Sequence, residues 1–293
     1  MKNPVMTASG TFGSGREYAD FINLDRLGAI VVKGVTREPR AGNPTPRICE
    51  TPSGMLNAIG LQNPGVERFI AEDLKWLAPL GVPVIVNIAG GTVTEYSDVA
   101  RALSRAGGVA GLEVNISCPN VKKGGISFGC DPEMTVKVVA AVRKAAPGLP
   151  LIVKLTPAAG DVVGVAEAAA AAGADALSLI NTFPGMSVDT ETFEPRLGSA
   201  TGGLSGPAIR PIAVKMVFDV SRAVRVPIIG MGGISTAQDA IEFMLAGASA
   251  VAVGTANFVD PQATIDIIEG LERFVRVRCI DSITSIIGAV KVR

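Results

Sequence analysis

The 293-residue sequence contains no histidine. That removes the commonest general base and the standard Ser-His-Asp triad. No G-x-S-x-G elbow, no P-loop and no G-x-G-x-x-G dinucleotide fingerprint occurs either. The four cysteines (Cys49, Cys118, Cys130, Cys279) are scattered, with no C-x-x-C spacing. Such spacing excludes a zinc site, an iron–sulfur cluster held by this chain, and a disulfide framework. No apolar run approaches the ~18 residues that a membrane span needs; the Ala-rich stretch 166–174 is broken by Glu167 and Gly173. Lys+Arg and Asp+Glu both total 27, so the net charge is zero, and neither nucleic acid nor a membrane surface is an expected partner. Met1-Lys2-Asn3-Pro4 leads straight into a strand-like segment with no signal peptide, and a reducing cytoplasm is the expected compartment.

What the chain does have is repetition. Hydrophobic residues make up 48% of it. Short runs rich in Val, Ile and Leu fall near 4–8, 29–35, 83–88, 112–117, 150–155, 176–181, 227–231 and 249–253. Helical patterns lie between and after them, near 16–26, 64–78, 94–106, 132–145, 161–172, 208–224, 236–246 and 261–275. Asp131-Pro132 reads as an N-cap followed by proline at the first helical position, and Ser235 precedes another helix start. Gly173 and Gly247 read as helix stops. Alternating β/α units without a composition break predict one α/β domain over 1–293, a (β/α)₈ TIM barrel with long active-site loops after several strands. An open doubly wound sheet is the alternative, and it would normally carry fewer strands and an early glycine-rich turn. The stretches 36–63 and 182–207 are long and Pro/Gly-rich, as is the segment after Cys118; they read as lids or binding loops.

In such a barrel the site lies at the C-terminal strand ends. The residues there are Ser9, Lys33, Asn87, Asn115 with Cys118, Lys154, Asn181 with Thr182, Gly232-Gly233 and Gly254-Thr255. A lysine ending a buried strand needs an anion. The loops after the seventh and eighth strands form the usual phosphate site of this fold, so Gly232, Gly233, Gly254 and Thr255 are candidates; tight turns alone are the other reading of these glycines. "GGLSGPA" (202–208) adds a close-approach turn at Gly206. With histidine absent, a thiol can supply the base, since its reference pKa is near ~8.5. Cys118 ends the strand-like stretch "EVNISCPN" (113–120) at the mouth. Cys49, Cys130 and Cys279 read as small buried hydrophobes. Asn57, Asn87, Asn115 and Asn181 offer amides that suit the edge of a pyrimidine or flavin.

The segments "NAIGLQNPG" (57–65), "NISCPNV" (115–121), "VKLTP" (153–157), "SLINT" (178–182), "TGGLSGP" (201–207), "PIIGMGGI" (227–234) and "AVAVGTANF" (250–258) together resemble the catalytic subunit of class 1 dihydroorotate dehydrogenase. "GNPTPR" (42–47) and "VKKGGISFG" (121–129) resemble the NAD-linked class 1B type. The resemblance covers nearly the whole chain. It departs at the start, where an N-terminal hairpin of the family is missing, and at Cys130, where threonine is more usual. It implies FMN across the barrel mouth, with its phosphate on Gly232, Gly233, Gly254 and Thr255, and with Ser9, Lys33, Gly34, Asn87, Asn115, Lys154, Ile180 and Gly206 along the flavin. It implies dihydroorotate held by Lys33, the loop Asn57, Ala58, Ile59, Gly60 and Leu61, and Asn115, Asn181 and Thr182. Cys118 would take a proton from C5 while hydride leaves C6, giving orotate for de novo pyrimidine synthesis. No resident metal is implied. Electrons would pass to NAD⁺ through a partner subunit carrying FAD and [2Fe–2S], docked on a dimer of this chain in a heterotetramer. Three alternatives stand beside it: a fumarate-linked class 1A enzyme, a flavin-dependent pyrimidine reductase, and a non-catalytic phosphate-binding barrel.

Overall fold

The structure is a computed structural model that describes residues 1–117 and 128–292. Twelve strands occur among them: β1 (Val5–Thr7), β2 (Ile30–Val35), β3 (Ile48–Thr51), β4 (Gly54–Asn57), β5 (Val84–Ile88), β6 (Gly111–Asn115), β7 (Leu151–Lys154), β8 (Ala176–Leu179), β9 (Phe183–Gly185), β10 (Gly202–Ser205), β11 (Ile228–Met231) and β12 (Ala250–Val253). Eight form a parallel sheet in the order β1-β12-β11-β8-β7-β6-β5-β2. A parallel bridge between Met6 and Ala29, with the Thr7 N–H donating to the Ala29 carbonyl at 3.3 Å, joins β1 to β2 and closes a (β/α)₈ barrel. These are the eight strands that the apolar runs predict.

Period-two alternation divides each strand between two cores. Met6, Val31, Ile85, Ile152, Ile229, Met231 and Ala252 fill the barrel interior. Val32, Val86, Val114, Val153, Leu177 and Val251 face outward into the larger core shared with the helices. With both faces buried, the strands read as continuous apolar runs rather than alternating ones.

The helices are α1 (Val66–Arg68), α2 (Lys75–Leu77), α3 (Val93–Arg105), α4 (Pro132–Ala145), α5 (Val162–Ala171), α6 (Arg210–Ala223), α7 (Ala237–Ala246), α8 (Ala256–Val259) and α9 (Ala263–Arg278). Asp131 caps α4 as its sequence predicts, accepting from the Glu133 and Met134 N–H groups. Three expectations need correction. The segment 16–26 holds only two short 3-10 turns, Arg16–Tyr18 and Leu24–Arg26. The helix near 64–78 forms but is not α throughout: a π-helical stretch, Phe69–Leu74, joins α1 to α2. The N-cap of α7 is Thr236 rather than Ser235; Thr236 and Asp239 form a reciprocal capping box, and Ser235 merely donates its N–H to the same carboxylate.

The largest correction concerns the two long loops. Residues 36–63 and 182–207 contribute an antiparallel sheet of order β3-β4-β10-β9. Pairing of β4 with β10, register Leu56↔Leu204, stitches the first loop to the second. Glycine makes this approach possible. A Cβ on Gly54 would sit 2.2 Å from the Ser205 carbonyl, and one on Gly203 would sit 2.0 Å from Thr182 Oγ1. The segment that carries Asn57 therefore leaves β4 at a fixed place beside the strand ends. The cysteines also differ from expectation. Cys49 and Cys130 are only partly buried, and Cys279, at the end of α9, is exposed.

Candidate functional site

A cavity of about 640 Å³ opens at the C-terminal ends of the barrel strands. Its size is that of a site for a cofactor-sized ligand. Ser9, Lys33, Gly34, Asn87, Asn115, Lys154, Ile180, Gly206, Gly232, Gly233, Gly254 and Thr255 line it. So do Asn57, Ala58, Ile59, Gly60, Leu61, Asn181 and Thr182. The structure thus brings together the residues that the strand ends and the resemblance single out. Cys118 lies outside the described residues; its chain neighbour Ser117 lines the cavity.

The two lysines differ in their surroundings. Lys154 ends β7 inside the barrel, 5% exposed. Its ammonium donates to Ser9 Oγ at 3.1 Å and stands 3.9 Å from the Glu113 carboxylate. Lys33 is half-buried and makes no ion pair or side-chain hydrogen bond among the described residues. Burial first, and then Arg47, push its ammonium below the usual lysine range, with Glu17 pulling the other way. A partly desolvated cation that forms no ion pair among the described residues favours an anionic ligand.

The amides are held in defined orientations. Asn181 Nδ2 donates to Ser117 Oγ at 2.8 Å, and its Oδ1 accepts from the Thr182 N–H. Asn115 Oδ1 accepts from the Ser117 N–H, and the Asn115 carbonyl accepts from Tyr96 Oη at 2.5 Å. Asn57 Nδ2 donates to the Gly203 carbonyl of β10. The segment after β4 is clamped from outside. Asn43 Nδ2 donates to the Ala58 carbonyl, and Arg47 donates to Gln62 and to the Asn43 and Ala41 carbonyls.

Opposite these amides, backbone replaces side chain. The N–H groups of Gly232, Gly233, Gly254 and Thr255 have no protein acceptor among the described residues. Gly233 has φ +83°, and a Cβ there would lie 2.7 Å from the Gly206 carbonyl. Gly254 differs: its Cβ would meet Ala8 at 3.5 Å, an ordinary contact. The set suits a phosphate, whose oxygens need several convergent donors. FMN fits the chemistry of the cavity: donors for a phosphate at one side, amides for a flavin edge, and a shelf of Ile180, Ile209 and Met231.

Sequence reasoning missed several lining residues, among them Arg40, Asn43, Met55, Ser205 and Phe258. Most belong to the small sheet or its approaches, which carry no apolar periodicity. It also missed Glu113, 2% exposed inside the barrel. The available signal was parity, since Glu113 shares a face of β6 with Asn115.

Comparison with known proteins bears on the same chain length. The dihydroorotate dehydrogenase family profile matches residues 1–275. A relative from Pelobacter propionicus, "Dihydroorotate dehydrogenase B (NAD(+)), catalytic subunit", is 58% identical over 291 residues, covering 99% of this chain and 95% of the relative. Proteins of the same name from Geotalea daltonii and Alkaliphilus oremlandii are 56% and 58% identical over 292 and 288 residues. They cover 100% and 98% of this chain, and each is itself covered to 95%. With the closed barrel and its anion-ready mouth, these matches place the chain in the dihydroorotate dehydrogenase family.

Proposed function

We propose that this chain is the catalytic subunit of an NAD-linked dihydroorotate dehydrogenase. It oxidises dihydroorotate to orotate in de novo pyrimidine synthesis. The observation that carries this reading is the Lys33 ammonium, unpaired among the described residues, in the same cavity as four backbone N–H groups that have no acceptor among those residues. Two anionic groups are called for, and a flavin phosphate and a substrate carboxylate supply them.

FMN, when bound, accepts the hydride that leaves C6 of the substrate. The chain's residues do the rest. Gly232, Gly233, Gly254 and Thr255 hold the phosphate through main-chain donors. Ser9, Gly34, Asn87, Lys154, Ile180 and Gly206 line the flavin. Lys33 holds the substrate carboxylate, while Asn57 to Leu61, Asn115, Asn181 and Thr182 fix its ring. Cys118, placed by sequence resemblance, takes the proton from C5. The positive charge of Lys154 favours electron density arriving in the cavity. Here the chain forms one domain, works in the cytoplasm, and dimerises within a heterotetramer whose second subunit carries FAD and [2Fe–2S]. "NAD(+)" in the relatives' names favours this acceptor over fumarate. Among the described residues no helix is long and apolar enough to cross a membrane.

Binding of orotate and of uracil tests the reading. Removing a charged hydrogen-bond partner costs about 1.5–3 kcal/mol, roughly ten- to a hundredfold in affinity. Lys33→Ala should lose that much orotate affinity. Uracil, which lacks the carboxylate, should bind poorly to both proteins. Tight uracil binding insensitive to Lys33 would move the chain to pyrimidine reduction.

A further inference from the structure

Glu113 has no place in the site as read so far, yet it is the one acid sealed inside the barrel beneath the cavity among the described residues. Its Oε2 accepts from Asn87 Nδ2 at 2.6 Å and faces Lys154 Nζ at 3.9 Å. Its Oε1 accepts from Ser178 Oγ at 2.8 Å. Three neighbouring strands, β5, β7 and β8, thus converge through one carboxylate on β6.

We infer that Glu113 is a positioning residue: it holds Lys154 as a cation and fixes which face Asn87 turns to the bound cofactor. This deepens the FMN reading and rests on it. A carboxylate only accepts. Asn87 must therefore give it Nδ2, which turns Oδ1 the other way, towards Gly34, where an added Cβ would lie 2.9 Å from that oxygen. Asn87 and Gly34 both line the cavity, so its floor presents an acceptor there rather than a donor. Lys154 is the second consequence. Around its ammonium stand Glu113 of β6 and Ser9 after β1, with Asn115 of β6 and Ser178 of β8 as its neighbours in register; Lys33 of β2 lines the same cavity. Of these only Glu113 is an acid. Without it, a buried ammonium is left without a counter-charge, which is strongly unfavourable.

The test compares the reduction potential of FMN in the wild-type protein, Glu113→Gln and Glu113→Asp as a function of pH. In Glu113→Gln the Glu113–Lys154 pair no longer fixes the charge beside the cofactor, so an extra proton is taken from buffer as electrons arrive from the mediator dye. One extra proton changes the equilibrium constant tenfold per pH unit, about 30 mV for a two-electron couple. The Gln variant should therefore show a steeper fall with pH than wild type, and the Asp variant, which keeps the charge, should follow wild type. A role confined to packing would move melting temperature but not this slope. A wild-type slope in Glu113→Gln, or a steep one in Glu113→Asp, overturns the inference. If Glu113→Gln does not fold, Glu113→Gln/Lys154→Met should, because no charge is then stranded; a double variant no more stable than the single one overturns the pairing. Wild-type protein that binds no FMN would count against the functional reading instead, and the melting comparison would still decide the Glu113–Lys154 pairing.

Discussion

Two lysines line the cavity in different surroundings. Lys154, at the end of β7, has Glu113 and Ser9 beside it; Lys33, inside β2, makes no ion pair or side-chain hydrogen bond among the described residues, and in the proposed reading its charge is offered to a ligand. The sign of the pH response follows. A lysine holds an anion while protonated, so its contribution is complete below its folded pKa and lost as pH rises through that value. Burial and Arg47 lower that pKa, so in the free protein the loss begins below the ordinary 10.5; a bound carboxylate pulls it back up. Orotate affinity should therefore fall with rising pH in the alkaline range before that value is reached, and in Lys33→Met it should be low and flat; a flat profile in the wild type contradicts the assignment. At the proton-abstraction step, Cys118→Ala should slow substrate-driven flavin reduction by ~10²–10⁴-fold while FMN stays bound. Rapid-mixing spectroscopy reads this directly, and reduction at wild-type speed would remove Cys118 from the reaction. Lys33 is legible as a lysine after Val-Val and lines the cavity; Cys118 stands out as a thiol after a strand in a chain without histidine, and it lies outside the described residues. Glu113 is legible only in part. Its inward direction follows from its parity with Asn115, but its three partners on different strands exist only once the barrel closes.

The β/α elements were readable for a physical reason. Strands buried on both faces write unbroken apolar runs, and Asp131-Pro132 writes its own helix start. The small sheet wrote nothing of the kind. Gly54, Gly185, Gly202 and Gly203 sit in its strands, where glycine lowers strand preference, and they are there because backbone and side chains press against them. A Pro/Gly-rich stretch therefore resembles a loop while folding as a sheet. The π-helical stretch between α1 and α2 and the single turns at 16–26 were missed because apolar spacing does not distinguish an α-helix from π or 3-10 turns. The turns after β11 and β12 allow a sharper test, since both contain glycine but only one requires it. Gly233→Ala forces a left-handed residue and drives a methyl into the Gly206 carbonyl, a strain of order 1–3 kcal/mol. FMN affinity should fall about tenfold or more. Gly254→Ala places its methyl in ordinary contact with Ala8 and keeps the N–H, so its FMN affinity should stay close to wild type. Fluorescence quenching of FMN measures both, and the reverse order would show that the phosphate is not held at Gly233.

At the scale of the whole molecule, the closed barrel has an apolar interior, and among the described residues its polar groups gather at the mouth and at the Glu113 network just beneath it. Apart from Cys118, which lies outside the described residues, everything assigned to FMN and to substrate lies in that one cavity. No dinucleotide fingerprint and no cluster-binding cysteine spacing occurs in the sequence, and the proposed reading reaches NAD⁺ through another polypeptide. The relatives' name, "catalytic subunit", agrees with that division of labour. The most direct measurement is the visible spectrum of the purified protein with FMN, recorded without oxygen before and after dihydroorotate is added. The account predicts that the flavin band bleaches and that NAD⁺ alone, with no partner subunit, leaves it bleached. A flavin band unchanged by dihydroorotate would contradict it.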